Sequence, residues 1–596
     1  MKHISRRHFL SLSAKGVGVA AISSGLMGCN LLGGSDSSSA VDPRSASIVT
    51  QFLHGIASGD PTQSAVILWT RVTPEEDADI TVSWEVATDA QFSQLTHTGS
   101  LVTNAERDYT VKIDAINLIA GTQYYYRFTS NGTVSEVGTA KTLPENNIES
   151  VKLAVMSCSN FPAGYFNVYD MAAKVENLDA VLHLGDYIYE YPRDGYASDD
   201  AATLGREVLP AHELLTLSDY RTRYAQYRSD ESLQLLHASV PFITVWDDHE
   251  VANDTYKDGA ENHNEGEGDF AARKEAALQA YFEWLPIRPS TADDEETIYR
   301  HFYFGDLVDI NMLDTRIIAR DQSLDFANYM DGSGGLDAAQ FTTDMQDTSR
   351  TMLGSDQLTW LQNQLASNSR TWQVLGQQVL MGSMYLPAAV ALRLMSITEY
   401  AELGALATLA TRAQASDPTL TADEMAYLTA NSSRLTDTVL AQLQLPSIPY
   451  NLDAWDGYSY EREVILQTAK AYQKNLVVLA GDTHNAWASE LKDATNNEKV
   501  GVEFATASVT SPGLENYLSI PLEQAPTYEA GVTGLVENLK YCNLVDRGFM
   551  TLTFTAAQVQ ADWLFVDTIK NSQYNEQISR RASATVAVGS HTINMS

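Results

Sequence analysis

The sequence predicts an α/β fold of layered sheets and helices, preceded by a small antiparallel β-sandwich. Between residues 50 and 147, apolar and β-branched residues alternate in runs such as "SAVILWTRV" and "ITVSWEVA", which is the period of half-buried strands. From residue 148 onward, short apolar runs are separated by helical or loop-rich stretches, as in a sheet covered by helices. A chain of 596 residues is also longer than one hydrophobic core usually organises.

Residues 1–29 are predicted to be an export signal that does not belong to the fold. The stretch "SRRHFL" precedes the apolar "GVGVAAISSGLMG", as in twin-arginine signals, which carry folded proteins across the bacterial inner membrane. "LMGC" resembles a lipobox, in which Cys29 would be acylated, and a plain cleavable signal is the alternative. Residues 30–49 are rich in Ser and Gly and predict a flexible linker. We therefore expect a periplasmic protein or a membrane-anchored lipoprotein at the cell surface, acting as a monomer.

Residues 50–147 and 148–596 are predicted to form separate domains. The first resembles fibronectin type III or immunoglobulin modules, and "GTQYYYRF" is typical of their aromatic-rich strands. The second contains an Ala/Leu-rich stretch at about residues 386–445. Charged side chains interrupt this stretch, which favours a helical insertion packed on the domain over a membrane span.

The net charge of −37 disfavours nucleic acid and anionic membrane surfaces as partners, because both would be repelled. Nucleic acid as a substrate stays open, and membrane contact is expected only through the N-terminal anchor. An anionic substrate would need a local positive charge, which bound metal could supply.

Four apolar runs are each followed directly by side chains that coordinate metals. The runs cover residues 151–156, 180–184, 241–246 and 476–480, and they precede "SCSN", "GDYIYE", "DDHEVAND" and "GDTHNAW". Sites in α/β proteins lie beyond the carboxyl ends of the strands. We therefore expect these motifs to form one site.

The candidate metal ligands in these motifs combine sulfur, phenolate and imidazole with carboxylate and amide oxygen. They are Cys158, Asp186, Tyr189, Asp248, Asn253, Asp482 and His484. Such a mixture favours two unlike ions, with Fe(3+) on the thiolate and phenolate side and Ca(2+) or another hard cation on the oxygen side. Two neighbouring metals suit phosphoryl chemistry. His249 is a candidate to protonate the leaving oxygen or to hold a phosphate oxygen.

Each candidate also has a structural interpretation. An Asp after a strand and a Gly is often a cap or turn residue. Other side chains fit structural roles: His183 as a core or supporting histidine, Tyr187, Tyr189 and Tyr191 as packing residues, Asp247 as a supporting carboxylate, and Cys542 as a buried thiol. Cys158 and Cys542 could also pair in an exported chain. The run "KDGAENHNEGEGDF" lacks the spacing of an EF-hand and favours a solvated loop.

Several motifs together resemble the PhoD-like alkaline phosphatase family, metallophosphatases related to purple acid phosphatases. They are "FLHGIASGDPTQSAVILWTRVTP", "GDYIYEY", "WDDHEVANDT", "GEGDFAARKEAALQAYFEWLPIR", "MLDTR" and "LAGDTHNAW". The resemblance implies a metallophosphatase-type catalytic domain, one ferric ion with calcium, and cleavage of phosphomonoesters and often phosphodiesters at alkaline pH.

Carried over residue by residue, the resemblance implies ferric ligands at Cys158, Tyr189 and His484, with Asp186 bridging to calcium. It places Asp248, Asn253 and Asp482 on the calcium side or in contact with phosphate. Arg316 of "MLDTR" is a candidate to hold phosphate, and an ion pair with Asp314 is its alternative. The insertion at 386–445 does not match the family, so monoester or diester preference stays open.

The sequence therefore predicts an exported phosphatase that hydrolyses phosphate esters by two-metal-assisted attack of water. One alternative is a phosphodiesterase of phospholipase D type acting on lipid or wall polymers. Another is a surface protein that binds such a polymer without cleaving it, although binding alone would not require the full set of ligands.

Overall fold

A computed structural model describes residues 48–290, 296–329 and 337–596. The predicted export signal and the predicted linker up to residue 47 lie outside the described residues. None of the helices in this part of the chain combines the length and apolarity needed to cross a bilayer.

The N-terminal region consists of short strands. They are β1 (Thr50–Gln51), β2 (Ile56–Gly59), β3 (Ala65–Arg71), β4 (Thr73–Pro74), β5 (Ile80–Ala87), β6 (Leu95–Thr103), β7 (Thr110–Ile116), β8 (Gln123–Ser130), β9 (Thr133–Val134) and β10 (Gly138–Lys141).

Strands and helices alternate in the next part of the chain. They are β11 (Ser150–Met156), α1 (Asn167–Ala173), β12 (Ala180–His183), α2 (Ala201–Leu204), α3 (Leu217–Arg228), α4 (Glu231–Ser239), β13 (Phe242–Thr244), α5 (Phe270–Trp284), β14 (Arg300–Phe304), β15 (Val308–Met312), α6 (Ala338–Met345), α7 (Gly354–Ser367) and β16 (Trp372–Gly376).

The C-terminal part begins with a group of helices and ends in strands. Its elements are β17 (Tyr385–Pro387), α8 (Ala388–Ala391), α9 (Ile397–Gln414), α10 (Ala422–Asn431), α11 (Asp437–Leu443), β18 (Ser447–Pro449), α12 (Ser459–Ala471), β19 (Leu476–Ala480), β20 (Ala486–Lys492), β21 (Lys499–Ala505), α13 (Leu514–Tyr517), α14 (Ala525–Leu535), β22 (Leu539–Asn543), β23 (Arg547–Thr555), β24 (Gln558–Val566), β25 (Ala582–Ala587) and β26 (Asn594–Met595).

The N-terminal strands form a β-sandwich, which confirms the predicted fold class of this region. The antiparallel sheet of order β10-β8-β5-β6 packs on β2, β3 and β7 through a core that includes Leu68, Val82 and Phe128. The second layer of the sandwich is continuous with a sheet of the α/β region, because Gly59 of β2 pairs in parallel with Phe242 of β13. A Cβ at Gly59 would lie 2.3 Å from the Pro286 carbonyl oxygen, so only glycine permits this junction.

Two large sheets form the layers of the α/β region, whose mixed architecture is as predicted. The first has the order β26-β25-β24-β23-β11-β12-β13-β2-β3-β7, and the second has the order β14-β15-β16-β19-β21-β20-β22. The Trp563 indole of the first donates a hydrogen bond of 2.9 Å to the Ala505 carbonyl of the second. Strands β11, β12 and β13 are mutually parallel, as are β15, β16, β19 and β21. The carboxyl ends of both parallel groups meet between the layers.

The helical insertion, here residues 388–443, contains α8 to α11 between the paired strands β17 and β18. Helix α9 begins at a capping box in which the Ser396 hydroxyl and the Glu399 carboxylate accept each other's backbone N–H. Helix α9 contacts α14. A Cβ at Gly531 of α14 would lie 3.0 Å from Cγ2 of Ile397, so the two helices lie close together at this point.

Candidate metal centre

The carboxyl ends of parallel strands from both sheets bring the predicted ligands together. Cys158 follows β11, Asp186 follows β12, Asp248 follows β13, and Asp482 and His484 follow β19. Possible ligand atoms lie within 4.8 Å of one another in three overlapping groups, which are Cys158, Asp186 and His484; Asp186, Asp248 and His249; and Asp247, Asp248 and Asp482. Asp186 and Asp248 each belong to two groups, so the three groups form one continuous centre.

Four of these residues adopt left-handed backbone conformations that L-residues rarely adopt. The φ angles are 62° at Cys158, 53° at Asp186, 58° at Asp482 and 64° at His484. Such conformations cost about 1–3 kcal/mol each and persist only where the surroundings enforce them. Backbone hydrogen bonds from Cys158 to Gly185 (3.1 Å) and from Ser159 to Asp186 (2.9 Å) tie the first two turns together.

Glycines allow the ligand-bearing turns to approach each other. A Cβ at Gly185 would lie 2.4 Å from the Asp247 Cβ, and one at Gly481 would lie 2.6 Å from Oγ of Ser157. Gly185 also has a φ of 103°, which disfavours any other residue. The Gly-Asp pairs of "GDYIYE" and "GDTHNAW" therefore have a steric explanation.

Tyr189 and His484 face Asp186 on the side of the centre that contains Cys158. The Tyr189 hydroxyl lies 2.9 Å from Oδ2 of Asp186 and 3.2 Å from Nε2 of His484, and the Ser511 hydroxyl donates to it at 2.6 Å. Nδ1 of His484 lies 2.7 Å from the Pro512 carbonyl oxygen. That carbonyl favours a proton on Nδ1 and so leaves the lone pair of Nε2 directed into the centre.

Arg316 lies among the carboxylates on the opposite side, with no exposed surface. Its Nε lies 2.5 Å from Oδ1 of Asp247, its Nη2 lies 2.9 Å from Oδ1 of Asp482, and its Nη1 lies 2.7 Å from Oδ2 of Asp453. The predicted alternative, an ion pair with Asp314, is wrong. The Asp314 carboxylate instead accepts the backbone N–H groups of residues 316–318, because it closes the turn after β15.

The comparison with known proteins agrees with this geometry. A family model described as "PhoD-like phosphatase" matches residues 153–563, and the model of that family's N-terminal domain matches residues 37–144. The chain belongs to the PhoD-like phosphatase family. It is 32% identical to alkaline phosphatase D of Bacillus subtilis (strain 168) over 477 residues, which cover 78% of this chain and 70% of that protein.

A solved structure of PhoD also matches the chain. The TM-score is 0.70 at 29% identity, over 91% of this chain and 92% of the other. The protein is accordingly a phosphoric ester hydrolase of the PhoD-like family.

His249 is paired with a buried glutamate that was not among the predicted site residues. Its Nδ1 lies 2.7 Å from Oε2 of Glu190, whose other oxygen accepts from the Asn253 backbone and the Asn262 side chain at 2.8 and 2.7 Å. Burial lowers the pKa of His249, but Asp248, Glu190 and Asp186 together hold that pKa well above its ordinary value. The Glu190 carboxylate therefore favours a proton on Nδ1 of His249.

Asn253, another predicted ligand, forms hydrogen bonds with two acidic residues beside the centre. Its amide nitrogen lies 3.1 Å from Oε2 of Glu261, and the residue is half-buried. Its backbone N–H, bound to Glu190, is what attaches this residue to the site.

Asp247 and Glu250 contribute more to the structure of the centre than the sequence predicted. Asp247 was interpreted as a supporting carboxylate, yet it belongs to a group of possible ligands, and its Oδ2 is buried without a hydrogen-bond partner. The Glu250 carboxylate accepts the backbone N–H groups of Asp186 (3.0 Å), Tyr187 and Asp247 (2.7 Å). Glu250 thus joins the turns after β12 and β13. Both residues lie within "DDHEVAND", so their acidic side chains next to Asp248 were the sequence signal for a role in the site.

The charges and donor atoms of the centre fit bound cations. Burial raises the pKa of Asp482 to about 8 although Arg316 lowers it, and burial raises that of Asp247 well above its usual range. In contrast, Arg316 and His249 outweigh burial and hold the pKa of Asp248 at about 2. Oδ1 of Asp186, like Oδ2 of Asp247, is buried without a hydrogen-bond partner. Buried carboxylates in such excess over cationic side chains favour metal binding.

The remaining sequence interpretations concern residues around the centre. Cys158 and Cys542 are both free and buried, so the disulfide alternative is wrong. The Cys542 thiol contacts the Glu529 carbonyl, as expected for a buried structural thiol. His183 is fully buried and lies 2.9 Å from the Tyr169 hydroxyl, in the core rather than in the centre.

Proposed function

We propose that this chain is an exported phosphatase that hydrolyses phosphomonoesters, phosphodiesters or both at alkaline pH, using one Fe(3+) and one Ca(2+). The observation that carries the proposal is the division of the centre into two unlike sides that share Asp186. Cys158, Tyr189 and His484 offer sulfur, phenolate and imidazole, and Asp247, Asp248 and Asp482 offer carboxylates.

The two sides suit different ions. Thiolate and phenolate favour a ferric ion, whereas carboxylates favour a hard cation such as calcium. Asp186 would bridge them, since it stands in one group with Cys158 and His484 and in another with Asp248 and His249. Asn253 would offer its amide oxygen to the calcium side, and its amide nitrogen donates to Glu261. When bound, the ions supply the positive charge that activates a water and neutralises the phosphoryl oxygens.

His249 would act as the general acid, donating a proton to the oxygen of the leaving alcohol. The Glu190 carboxylate, 2.7 Å from Nδ1, orients the ring and favours its protonated form. Arg316 would position the carboxylates of Asp247 and Asp482 rather than bind phosphate, because these carboxylates and Asp453 surround its guanidinium group.

Metal analysis of paired cysteine variants tests the assignment of Cys158. We expect Cys158→Ala to lose iron and to lose turnover of aryl phosphate and bis-aryl phosphate between about pH 7 and 10. Cys542→Ala is the matched control, because it removes the other buried thiol at a distance from the ligand groups. Unchanged iron content in Cys158→Ala would refute the ligand assignment, and relative rates on the two substrates decide between monoester and diester activity.

Export by the twin-arginine route, with Cys29 as the lipid anchor, rests on the sequence alone. The test is fractionation of cells that produce the full chain or its Arg6→Lys/Arg7→Lys variant. We expect the variant to remain in the cytoplasm, and export of the variant at the normal level would contradict the route.

A further inference from the structure

A cavity lies between the helical insertion and the catalytic domain and encloses about 230 Å³. The insertion and its flanking strand β17 contribute Leu386, Val390 and Ile397, and the catalytic domain contributes Trp487, Leu514 and Tyr517. An apolar cavity of about 150 Å³ is large enough to bind benzene. This cavity can therefore hold an aromatic ring or a short alkyl chain.

Hydrogen bonds join the walls of the cavity to the ligand-bearing loop after β19. The Trp487 indole donates to the Thr483 hydroxyl at 2.8 Å, and Thr483 stands between the predicted ligands Asp482 and His484. The Leu514 backbone N–H donates to Oδ1 of Asn485 at 3.1 Å. Shortly before Leu514 in the chain, the Pro512 carbonyl lies beside Nδ1 of His484. The cavity and the metal centre thus share one loop.

Two tyrosines, Tyr450 and Tyr517, line the cavity. Tyr517 is 58% exposed. Partial burial of its hydroxyl and the negative charge of Asp482 raise the pKa of Tyr517, whereas the positive charge of His249 lowers it. Burial, Tyr517 and Asp482 likewise raise the pKa of Tyr450. Both tyrosines add hydroxyl groups to a lining whose other members are mostly apolar side chains.

We propose that this cavity binds the alcohol portion of the substrate, which would be an aryl or short alkyl group, while the phosphoryl group lies at the metal centre. The inference rests on the proposed function. In the reaction, water adds to phosphorus, the bond between phosphorus and the ester oxygen breaks, and the alcohol leaves with a proton. The cavity would hold the alcohol throughout this step.

The chemistry of the lining favours an apolar alcohol over a sugar or glycerol. The polar groups of the lining are the hydroxyls of Tyr450 and Tyr517 and the guanidinium of Arg393, among aliphatic and indole side chains. A polyol would lose hydrogen bonds to water that this lining cannot replace. An aryl or alkyl group would instead bury apolar surface.

Filling the cavity tests the proposal in the full-length, metal-loaded enzyme. We compare the ratio of kcat/KM for phenyl phosphate to that for glycerol phosphate in the original chain, in Val390→Phe and in Val390→Ser. Val390 is half-buried in α8, so the Ser variant provides a test even if Phe disturbs folding. A group added to or lost from an apolar pocket changes discrimination by about 10- to 200-fold. We expect the ratio to fall about tenfold with Phe and several-fold with Ser.

Leu394→Phe is the matched control, because Leu394 follows the same helix, is 44% exposed and does not line the cavity. Its ratio should equal that of the original chain. An unchanged ratio in both Val390 variants, or an equal fall in Leu394→Phe, would overturn the inference. Absence of turnover of either ester by the original chain would overturn the proposed function instead, so the two failures are distinguishable.

Discussion

The metal centre and the helical insertion differ in the environment of their charged side chains. In the metal centre, Arg316 has no exposed surface and its carboxylate partners are buried or half-buried. In the insertion, Arg412 forms its ion pairs with Asp417 and Glu424 while all three side chains stay 25–33% exposed. Charges in the first region therefore interact strongly with one another, whereas water screens those in the second.

This difference predicts which properties of the protein each region controls. The strained turns and shared carboxylates of the metal centre form one unit, so a change at one residue should affect metal content and every substrate. The insertion contributes Val390 and Ile397 to the apolar cavity. Changes there should alter stability or the choice of substrate and leave the metals in place.

The largest effect is expected from Asp186→Asn, because Asp186 stands in one group with Cys158 and in another with Asp248. Replacing its carboxylate with an amide removes the shared negative charge. We expect the content of both metals to fall and kcat to drop on the order of 10³-fold, which corresponds to about 4 kcal/mol of lost stabilisation. Elemental analysis and steady-state kinetics measure these effects.

The control for this variant is Asp423→Asn, which changes an exposed aspartate in the first turn of α10. It should retain normal metal content and activity. Full metal content in Asp186→Asn would contradict the role of Asp186 as a bridge.

A large effect on stability is expected from Arg316→Met. The change leaves Asp247, Asp482 and Asp453 without their shared cation in a buried site. Removing one partner of a buried ion pair costs about 3–5 kcal/mol, so we expect metal-free protein to unfold at lower urea concentration. Added metal should restore part of the loss.

Arg412→Met is the comparison in the insertion, where the ion pairs are exposed, and no measurable change is expected. If the two variants lost equal stability, burial would not be what distinguishes the regions.

A smaller effect is expected from Glu190→Gln, which removes the carboxylate beside Nδ1 of His249. We expect kcat to fall about 10- to 100-fold at constant metal content. Glu190 raises the pKa of His249, so the variant should have a lower pKa there. A general acid must carry its proton, and the alkaline limb of the pH profile for kcat should therefore move to lower pH. An unchanged limb would argue against His249 as the acid, and the exposed Glu207→Gln serves as control.

Much of the candidate metal centre could be predicted from the sequence because its candidate ligands directly follow apolar strands. Parallel strands place such residues at one edge of a sheet, so Cys158 and Asp482 could be assigned to one site although they are far apart in the chain. Asp453 gave no such signal. It follows the insertion and no long strand, and only tertiary packing brings it to Arg316.

The fold was predictable to a similar extent. Alternating residues predicted the N-terminal sandwich, but they could not show that β2 continues the large sheet, since that depends on a single glycine contact at Gly59. The left-handed conformations at Cys158 and His484 were also beyond sequence patterns, because tertiary structure enforces them against local preference.

The smallest effect is expected from Ser396→Ala, which removes the N-terminal cap of α9 in the insertion. Loss of such a cap costs about 1 kcal/mol, so amide hydrogens in the first turns of α9 should exchange about fivefold faster. Thr408→Ala in the same helix is the control, because Thr408 is exposed and its hydroxyl bonds only within the helix, to the Gly404 carbonyl. Alanine favours helix more than threonine does, so exchange there should slow or stay constant. Metal content should not change in either variant. Loss of metal in Ser396→Ala would show that the insertion supports the metal centre directly, and the contrast between the two regions would then fail.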